Sequence, residues 1–183
     1  MQLRTFIAID FSKQLKEEIK EYINLIKPKV QGHWTNYENM HLTIKFLGEI
    51  HQSDIKKIYL ALEKSLFGIE PFFLRIGGLG YFPGNKTIRV LWLGLDGDLE
   101  MLRKLHFRVE EELGFVGFPK ESREFKPHIT LARDVIADIN ELPVYSFKNP
   151  INVKEMVFMK SELVSNKRVY TPIFRLPLKE GNV

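Results

Sequence analysis

The pattern His-aliphatic-Thr-aliphatic occurs twice, as His41-Leu42-Thr43-Ile44 and as His128-Ile129-Thr130-Leu131. The two histidines stand 87 positions apart (128 − 41), near half of the 183-residue chain. Both copies alternate polar and apolar residues, the period of a half-buried strand. Residues i and i+2 of a strand share a face. His41 and Thr43 therefore look one way, as do His128 and Thr130, while Leu42, Ile44, Ile129 and Leu131 look into a core. A chain built on this pattern presents two imidazoles and two hydroxyls from two similar strands.

The surrounding segments repeat as well. A strand is expected over residues 3–9, then a helix over 12–27 that Ser12 caps. Leu15, Ile19, Tyr22, Ile23 and Ile26 form its apolar stripe, and Pro28 stops it. A short strand over 33–35 and a turn over 36–39 lead to the first motif strand, residues 41–47, which Gly48 breaks. Ser53 caps a second helix, with Ile55, Ile58, Tyr59, Leu62 and Leu66 on its buried face and Gly68 at its end. A strand over 72–79, a turn over 80–85 and a central buried strand over 88–95 follow. The third helix carries Leu99, Leu102, Leu105, Val109 and Leu113. It falls over 99–114, the first helix shifted by the same 87 positions, and the second motif strand follows at that offset. Beyond Ser53 the echo fails. Two strands, over 154–164 and 170–178, close the chain around the turn Ser165-Asn166-Lys167. The expected fold class is α+β and bilobal: two pseudo-symmetric lobes of antiparallel sheet, helices outside, and a central cleft to which each lobe gives one motif strand. The lobes share a core, so residues 1–183 are read as a single domain.

Composition narrows the chemistry. There is no cysteine, which excludes disulfides, thiol nucleophiles and thiolate metal sites and fits a cytoplasmic protein. No run approaches a membrane span. Arg4 and Asp10 interrupt the first apolar stretch, unlike a secretory signal. The net charge of +4 suits an anionic partner such as a nucleotide or RNA, or simply a lysine-rich surface.

Four readings of the paired motif are open: coincidence, exposed strand residues without a role, a metal site, and acid–base chemistry. Threonine is a good strand residue, so one copy needs no function; two copies at equivalent places ask for one. A catalytic zinc usually takes three protein ligands. Neither histidine has an Asp or Glu at i+2 or i+4, and no His-Glu-x-x-His occurs, so no metal and no cofactor are expected. Displacement at phosphorus needs one group to take a proton from the nucleophile and another, opposite, to give one to the leaving oxygen. Two imidazoles across a cleft do both near neutral pH, and Thr43 and Thr130 offer donors to the charged oxygens. The symmetry leaves open which histidine is the acid.

The paired motifs, with the flanks Glu38-Asn39-Met40 and Phe125-Lys126-Pro127, resemble the two-histidine (2H) phosphoesterase superfamily. Within it they look like the bacterial and archaeal RNA 2′,3′-cyclic phosphodiesterases, long called 2′-5′ RNA ligases. The likeness extends to Arg4-Thr5-Phe6-Ile7-Ala8-Ile9, Phe46-Leu47-Gly48, Phe82-Pro83 and Arg89-Val90-Leu91-Trp92. It implies metal-independent opening of a 2′,3′-cyclic phosphate to a 2′-phosphate, with His41 as proton donor and His128 as proton acceptor, and beside it reversible 2′-5′ ligation of RNA. The implied partner is an RNA bearing a 2′,3′-cyclic phosphate end, or a small cyclic nucleotide, with no membrane involved and the chain a monomer. The alternative is a module that holds an RNA end or nucleotide in the same cleft without turnover.

The residue five beyond each histidine is Phe46 in one copy and Arg133 in the other. In the resembling family an aromatic and an arginine flank the ligand there. A ring and a guanidinium plane can stack on a base, and arginine can grip phosphate. An ideal strand, however, turns i+5 away from i. Phe46 and Arg133 reach the cleft only if the strand twists or ends, as Gly48 and Asp134 would allow; otherwise Phe46 is core. Lys45 has the cleft parity and would add positive field. His106 is expected at a core boundary, His33 and His51 in loops, and Trp34 in the core. Gly77-Gly78-Leu79-Gly80 precedes no helix and lacks Gly-Lys-Thr, so it is no phosphate loop. Ser161 and Tyr170 are read either as cleft lining or as surface strand residues.

Overall fold

Residues 6–9 read apolar at successive positions because their strand is covered on both faces. In the computed structural model, which describes residues 1–179, this strand, β1 (Gln2–Asp10), sends Ile7 and Ile9 into the main core. Phe6 and Ala8 go to a second, smaller cluster with Val157 and Met159. The last four positions of the expected domain lie outside the described residues. After β1 come α1 (Lys13–Ile26), β2 (Gln31–Trp34), β3 (His41–His51), α2 (Ile55–Ser65), β4 (Phe72–Pro83) and β5 (Ile88–Gly97). The chain continues with α3 (Leu99–Phe115), β6 (Ile129–Ile136), β7 (Ile151–Val153), β8 (Glu155–Val164) and β9 (Lys167–Pro177).

The strands form two antiparallel sheets, ordered β3-β1-β8-β9 and β2-β6-β5-β4-β7. The architecture is α+β, and each sheet holds one motif strand. The lobes are not the two halves of the chain. β2, from the first half, pairs with β6 in the second sheet, and the C-terminal hairpin β8–β9 completes the first. β6 lies inside its sheet, while β3 is an edge strand, and β3 and β6 approach each other across the gap between the sheets. β5 is central, as its apolar run requires.

The helices pack as their stripes demand. Ser12 Oγ accepts the Leu15 N–H and caps α1, and Leu15, Ile19, Tyr22, Ile23 and Ile26 are all buried. In α3, Leu102, Leu105, Val109 and Leu113 are buried. Three local expectations are corrected. Gly48 does not end the first motif strand; it takes φ 70°, where glycine is free of Cβ strain, and the strand runs on to His51. Residues 80–83 continue β4, and the turn comes after Pro83. Ser53 is not the cap of α2: His51 caps a short 3-10 turn over Gln52–Asp54, which feeds the helix. The stretch read as one strand from residue 154 is preceded by a separate short strand, β7.

Glu18 ties α1 to the long irregular stretch before β7. Its carboxylate, almost fully buried, accepts the N–H groups of Lys148 and Asn149 and the Asn149 side-chain amide at 2.6–3.0 Å. Burial pushes this carboxyl up, but those hydrogen bonds together outweigh it and hold it below the ordinary glutamate range.

Candidate active site

Each motif strand carries one extra residue at the third position after its histidine. In β3 the pairing with β1 runs Asp10↔His41, Ile9↔Leu42, Ala8↔Thr43, then skips to Ile7↔Lys45 and Phe6↔Phe46. Ile44 is the unpaired residue. In β6 the pairing with β5 runs Trp92↔Thr130, then skips to Leu91↔Ala132 and Val90↔Arg133, leaving Leu131 unpaired. A bulge inverts the alternation beyond it. Ile44 and Lys45 therefore both point to the core, as do Leu131 and Ala132, while Phe46 and Arg133 return to the face of the histidines. The backbone relaxes farther along each strand at a positive φ, 70° at Gly48 and 52° at Asp134.

This settles the faces of three sequence candidates. Phe46 is more than half exposed and packs at 5.8 Å from the Phe6 ring, on the His41 side. Arg133 is exposed on the His128 side, near enough for its charge to disfavour protonation of that ring. Lys45 is a correction: the bulge buries it, and its ammonium donates to Glu110 Oε1 at 2.7 Å and to Pro119 O at 2.9 Å. It contributes nothing to the cleft surface.

The two imidazoles are held alike. His41 Nδ1 lies 2.7 Å from Asn39 O, and His128 Nδ1 lies 2.6 Å from Lys126 O. A carbonyl only accepts, so each Nδ1 carries the hydrogen and each Nε2 is the free, basic nitrogen of the neutral ring. Thr43 Oγ1 is 2.9 Å from His41 Nε2, where its hydroxyl can donate. Burial is the main influence on both rings and pushes their pKa values below the ordinary histidine value. For His41 the Asn39 carbonyl and the Asp10 carboxylate oppose this, while Lys16 and His128 reinforce it. For His128 the Lys126 carbonyl opposes and Arg133 reinforces.

Aromatic side chains fix both rings. His41 lies 4.8 Å from Phe6 and meets Tyr170 edge-on at 5.3 Å. His128 meets Phe82 edge-on at 4.9 Å and lies 6.2 Å from Trp92. The Trp92 indole lies across Gly80, filling the space where a Cβ would stand. Its buried Nε1–H has no hydrogen-bond partner among the described residues. A cavity of about 140 Å³ beside His41 is lined by Asp10, Lys16, Asn39, Tyr170 and Arg175. A larger hollow, about 350 Å³, opens at the β4–β5 turn around Tyr81, Lys86, Ile88 and Ile136 and touches neither histidine. No three His, Asp or Glu side chains among the described residues group as metal ligands.

Of the candidates named from sequence, His41, Thr43 and Phe46 share one face of β3, and Thr130 and Arg133 share one face of β6 with His128 just before it. Tyr170 belongs to the first group; Ser161 accepts instead from the Arg168 side chain. His106 sits at the core boundary, stacked on Phe125. Sequence reasoning missed Phe6 as the support of His41, and the carbonyls of Asn39 and Lys126. The one available signal was positional: both carbonyls belong to the residue two before a motif histidine.

The model of the family described as "LigT like Phosphoesterase" matches residues 9–92 and 94–170. The RNA 2′,3′-cyclic phosphodiesterase of Thermotoga maritima is 39% identical over 132 residues, covering 72% of this chain and 70% of that protein. The protein of the same name from Methanothermobacter thermautotrophicus is 30% identical and covers 96% of this chain and 100% of its own length. Among solved structures, Escherichia coli LigT complexed with 3′-AMP superposes with a TM-score of 0.85 at 27% identity, covering 98% of this chain and 100% of that one.

Proposed function

The chain belongs to the LigT-like phosphoesterase family, and from that premise we propose that it is an RNA 2′,3′-cyclic phosphodiesterase working through His41 and His128 without a metal. Water attacks phosphorus; His128 Nε2 takes its proton as the P–O bond forms. The P–O3′ bond breaks on the opposite side, and protonated His41 gives its Nε2 proton to O3′. One water is consumed, the product is a 2′-phosphate with a free 3′-hydroxyl, and proton exchange with solvent resets the two rings. Thr43 and Thr130 donate to the non-bridging oxygens as charge builds on them. With an RNA 5′-hydroxyl in place of water as the nucleophile, the same forward steps make a 2′-5′ linkage and free the 3′-hydroxyl; their reversal cleaves that linkage.

The observation that carries this reading is the shared clamp on the imidazoles. Each Nδ1–H is committed to a backbone carbonyl two residues earlier, so Nε2 is the basic nitrogen of each ring, met at His41 by the hydroxyl of Thr43. A module that only held a nucleotide would need no such pair of preset bases. Phe46 and Arg133 suit a base and a phosphate, and the E. coli relative binds the nucleotide 3′-AMP. No helix of the described residues is long and apolar enough to cross a membrane, and we place the chain in the cytoplasm, as a monomer acting on RNA ends.

The test is incubation with a nucleoside 2′,3′-cyclic phosphate and identification of the product isomer. The 2′-phosphate is expected, with EDTA without effect. A 3′-phosphate product would reverse the leaving oxygen. Tight binding without turnover would make the chain a binding module. Zinc-rescued loss of activity in EDTA would replace the acid–base pair by a metal site.

A further inference from the structure

The buried ion pair behind the first motif strand has no charged counterpart in the second copy of the repeat. Shifted by the 87-residue offset of the motifs, Lys45 becomes Ala132 and Glu110 becomes Ile23, and both of these are buried in the apolar core. In the first lobe the place holds two charges, each under a tenth exposed. A buried pair recovers its desolvation cost only with good geometry and full hydrogen bonding, and it is often no more stable than an apolar pair of the same volume.

What the charged pair does, and an apolar pair cannot, is hold backbone. Lys45 Nζ donates to Pro119 O at 2.9 Å as well as to Glu110 Oε1. Glu110 Oε2 accepts the Glu121 N–H at 2.9 Å. One turn earlier on α3, His106 stacks on Phe125 with ring centres 3.9 Å apart and planes 4° from parallel. These contacts hold the irregular segment between α3 and β6 at Pro119, Glu121 and Phe125. The next residue is Lys126, whose carbonyl fixes the His128 tautomer. Lys45 itself stands two residues beyond Thr43, on the strand that carries His41.

We propose that Lys45 and Glu110 are positioning residues: they tie the strand of the first motif to the segment that sets the orientation and tautomer of the second histidine. The proposal rests on the acid–base reading of the histidine pair. Neither residue touches substrate. The tie fixes where His128 Nε2 points relative to His41.

The experiment uses the volume-matched double variant Lys45→Met/Glu110→Leu and the single variant Glu110→Gln. On a nucleoside 2′,3′-cyclic phosphate, kcat is expected to fall about 10–100-fold, the scale of a misplacement near 1 Å, with KM little changed. Nitrogen-15 NMR of the imidazoles is expected to show His128 sharing both neutral tautomers while His41 keeps Nδ1–H. Wild-type kcat in a folded variant, or an unchanged His128 tautomer, overturns the proposal. So does a large fall in melting temperature with kcat intact, which would make the pair a stability element only. If the double variant does not fold, Glu110→Gln is read by the same two criteria. A wild-type protein without turnover would refute the reading of the site, yet the tautomer measurement would still decide whether the tie exists.

Discussion

Gly80→Ala should damage catalysis from the far side of a tryptophan. A Cβ on Gly80 would stand 2.6 Å from Trp92 Cζ2 and closer still to the two neighbouring ring carbons. Carbon atoms in contact sit about 3.5–4.0 Å apart, so the indole must retreat by roughly 1 Å. It is wedged between Phe82, at 5.4 Å, and His128, at 6.2 Å, and Phe82 itself bears edge-on against His128. Any retreat therefore reaches the imidazole. Overpacking of this kind costs about 1–3 kcal/mol, and a displaced base costs on the order of 10²-fold in rate. Steady-state turnover of a nucleoside 2′,3′-cyclic phosphate and thermal melting measure the two effects. Gly78→Ala is the control, because a Cβ there meets nothing within 4 Å although it lies on the same strand. Wild-type kcat and melting temperature in Gly80→Ala, or equal damage in Gly78→Ala, would refute the reasoning.

His41→Ala and His128→Ala should each abolish measurable turnover with folding retained by circular dichroism, while Thr43→Ala and Thr130→Ala should each cost about 10²-fold, one transition-state hydrogen bond. A substrate with a much better leaving group at O3′ should restore His41→Ala and not His128→Ala, and the opposite pattern would exchange the two roles. Burial holds both imidazoles below the ordinary histidine value, so the bell in kcat/KM should centre on the acid side of about 6.5. An anionic substrate favours the charged rings and raises both values, so the kcat profile should sit at higher pH than the kcat/KM profile; a flat profile would contradict paired acid–base catalysis. Glu18→Ala strips the partner from two backbone N–H groups and should cost roughly 2 kcal/mol, about 4–8 °C in Tm for a chain of this size. The Glu18 carboxyl is depressed in the fold, so its contribution is complete above the ordinary glutamate value and disappears as pH falls through the folded value; the wild-type and Glu18→Ala melting curves should therefore converge in acid.

Period and spacing in the sequence were enough to find the helices, the two motif strands and the shared orientation of each His and Thr, because these follow from local alternation. They could not show where alternation stops. Ile44 and Leu131 are ordinary aliphatic strand residues, and only the register of the partner strands makes each the extra one. That is why the parity rule sent Lys45 to the cleft and left Phe46 and Arg133 undecided. The edge position of β3 was equally hidden, since it depends on a hairpin more than a hundred residues later. His51 took a capping role in place of Ser53 because its imidazole Nδ1 accepts the Ser53 N–H and so starts the turn two residues earlier. The positive net charge alone pointed to no particular surface.

The exchange of strands between the sheets also governs how the molecule comes into being. β1 pairs with β8 through contacts such as Thr5↔Lys160, a separation close to the length of the chain. The apolar floor under His41 is made of Phe6 and Ala8 from one end and Val157 and Met159 from the other. During synthesis the first motif strand can pair with β1 early, but the surface that supports its histidine is missing until the last hairpin emerges. Long-range pairing of this kind is slow to form because the loop it closes is large. On the acid–base reading of the histidine pair, competence therefore waits for the β8–β9 hairpin, and a ribosome-bound protein lacking β8 and β9 would carry both motifs and no working pair.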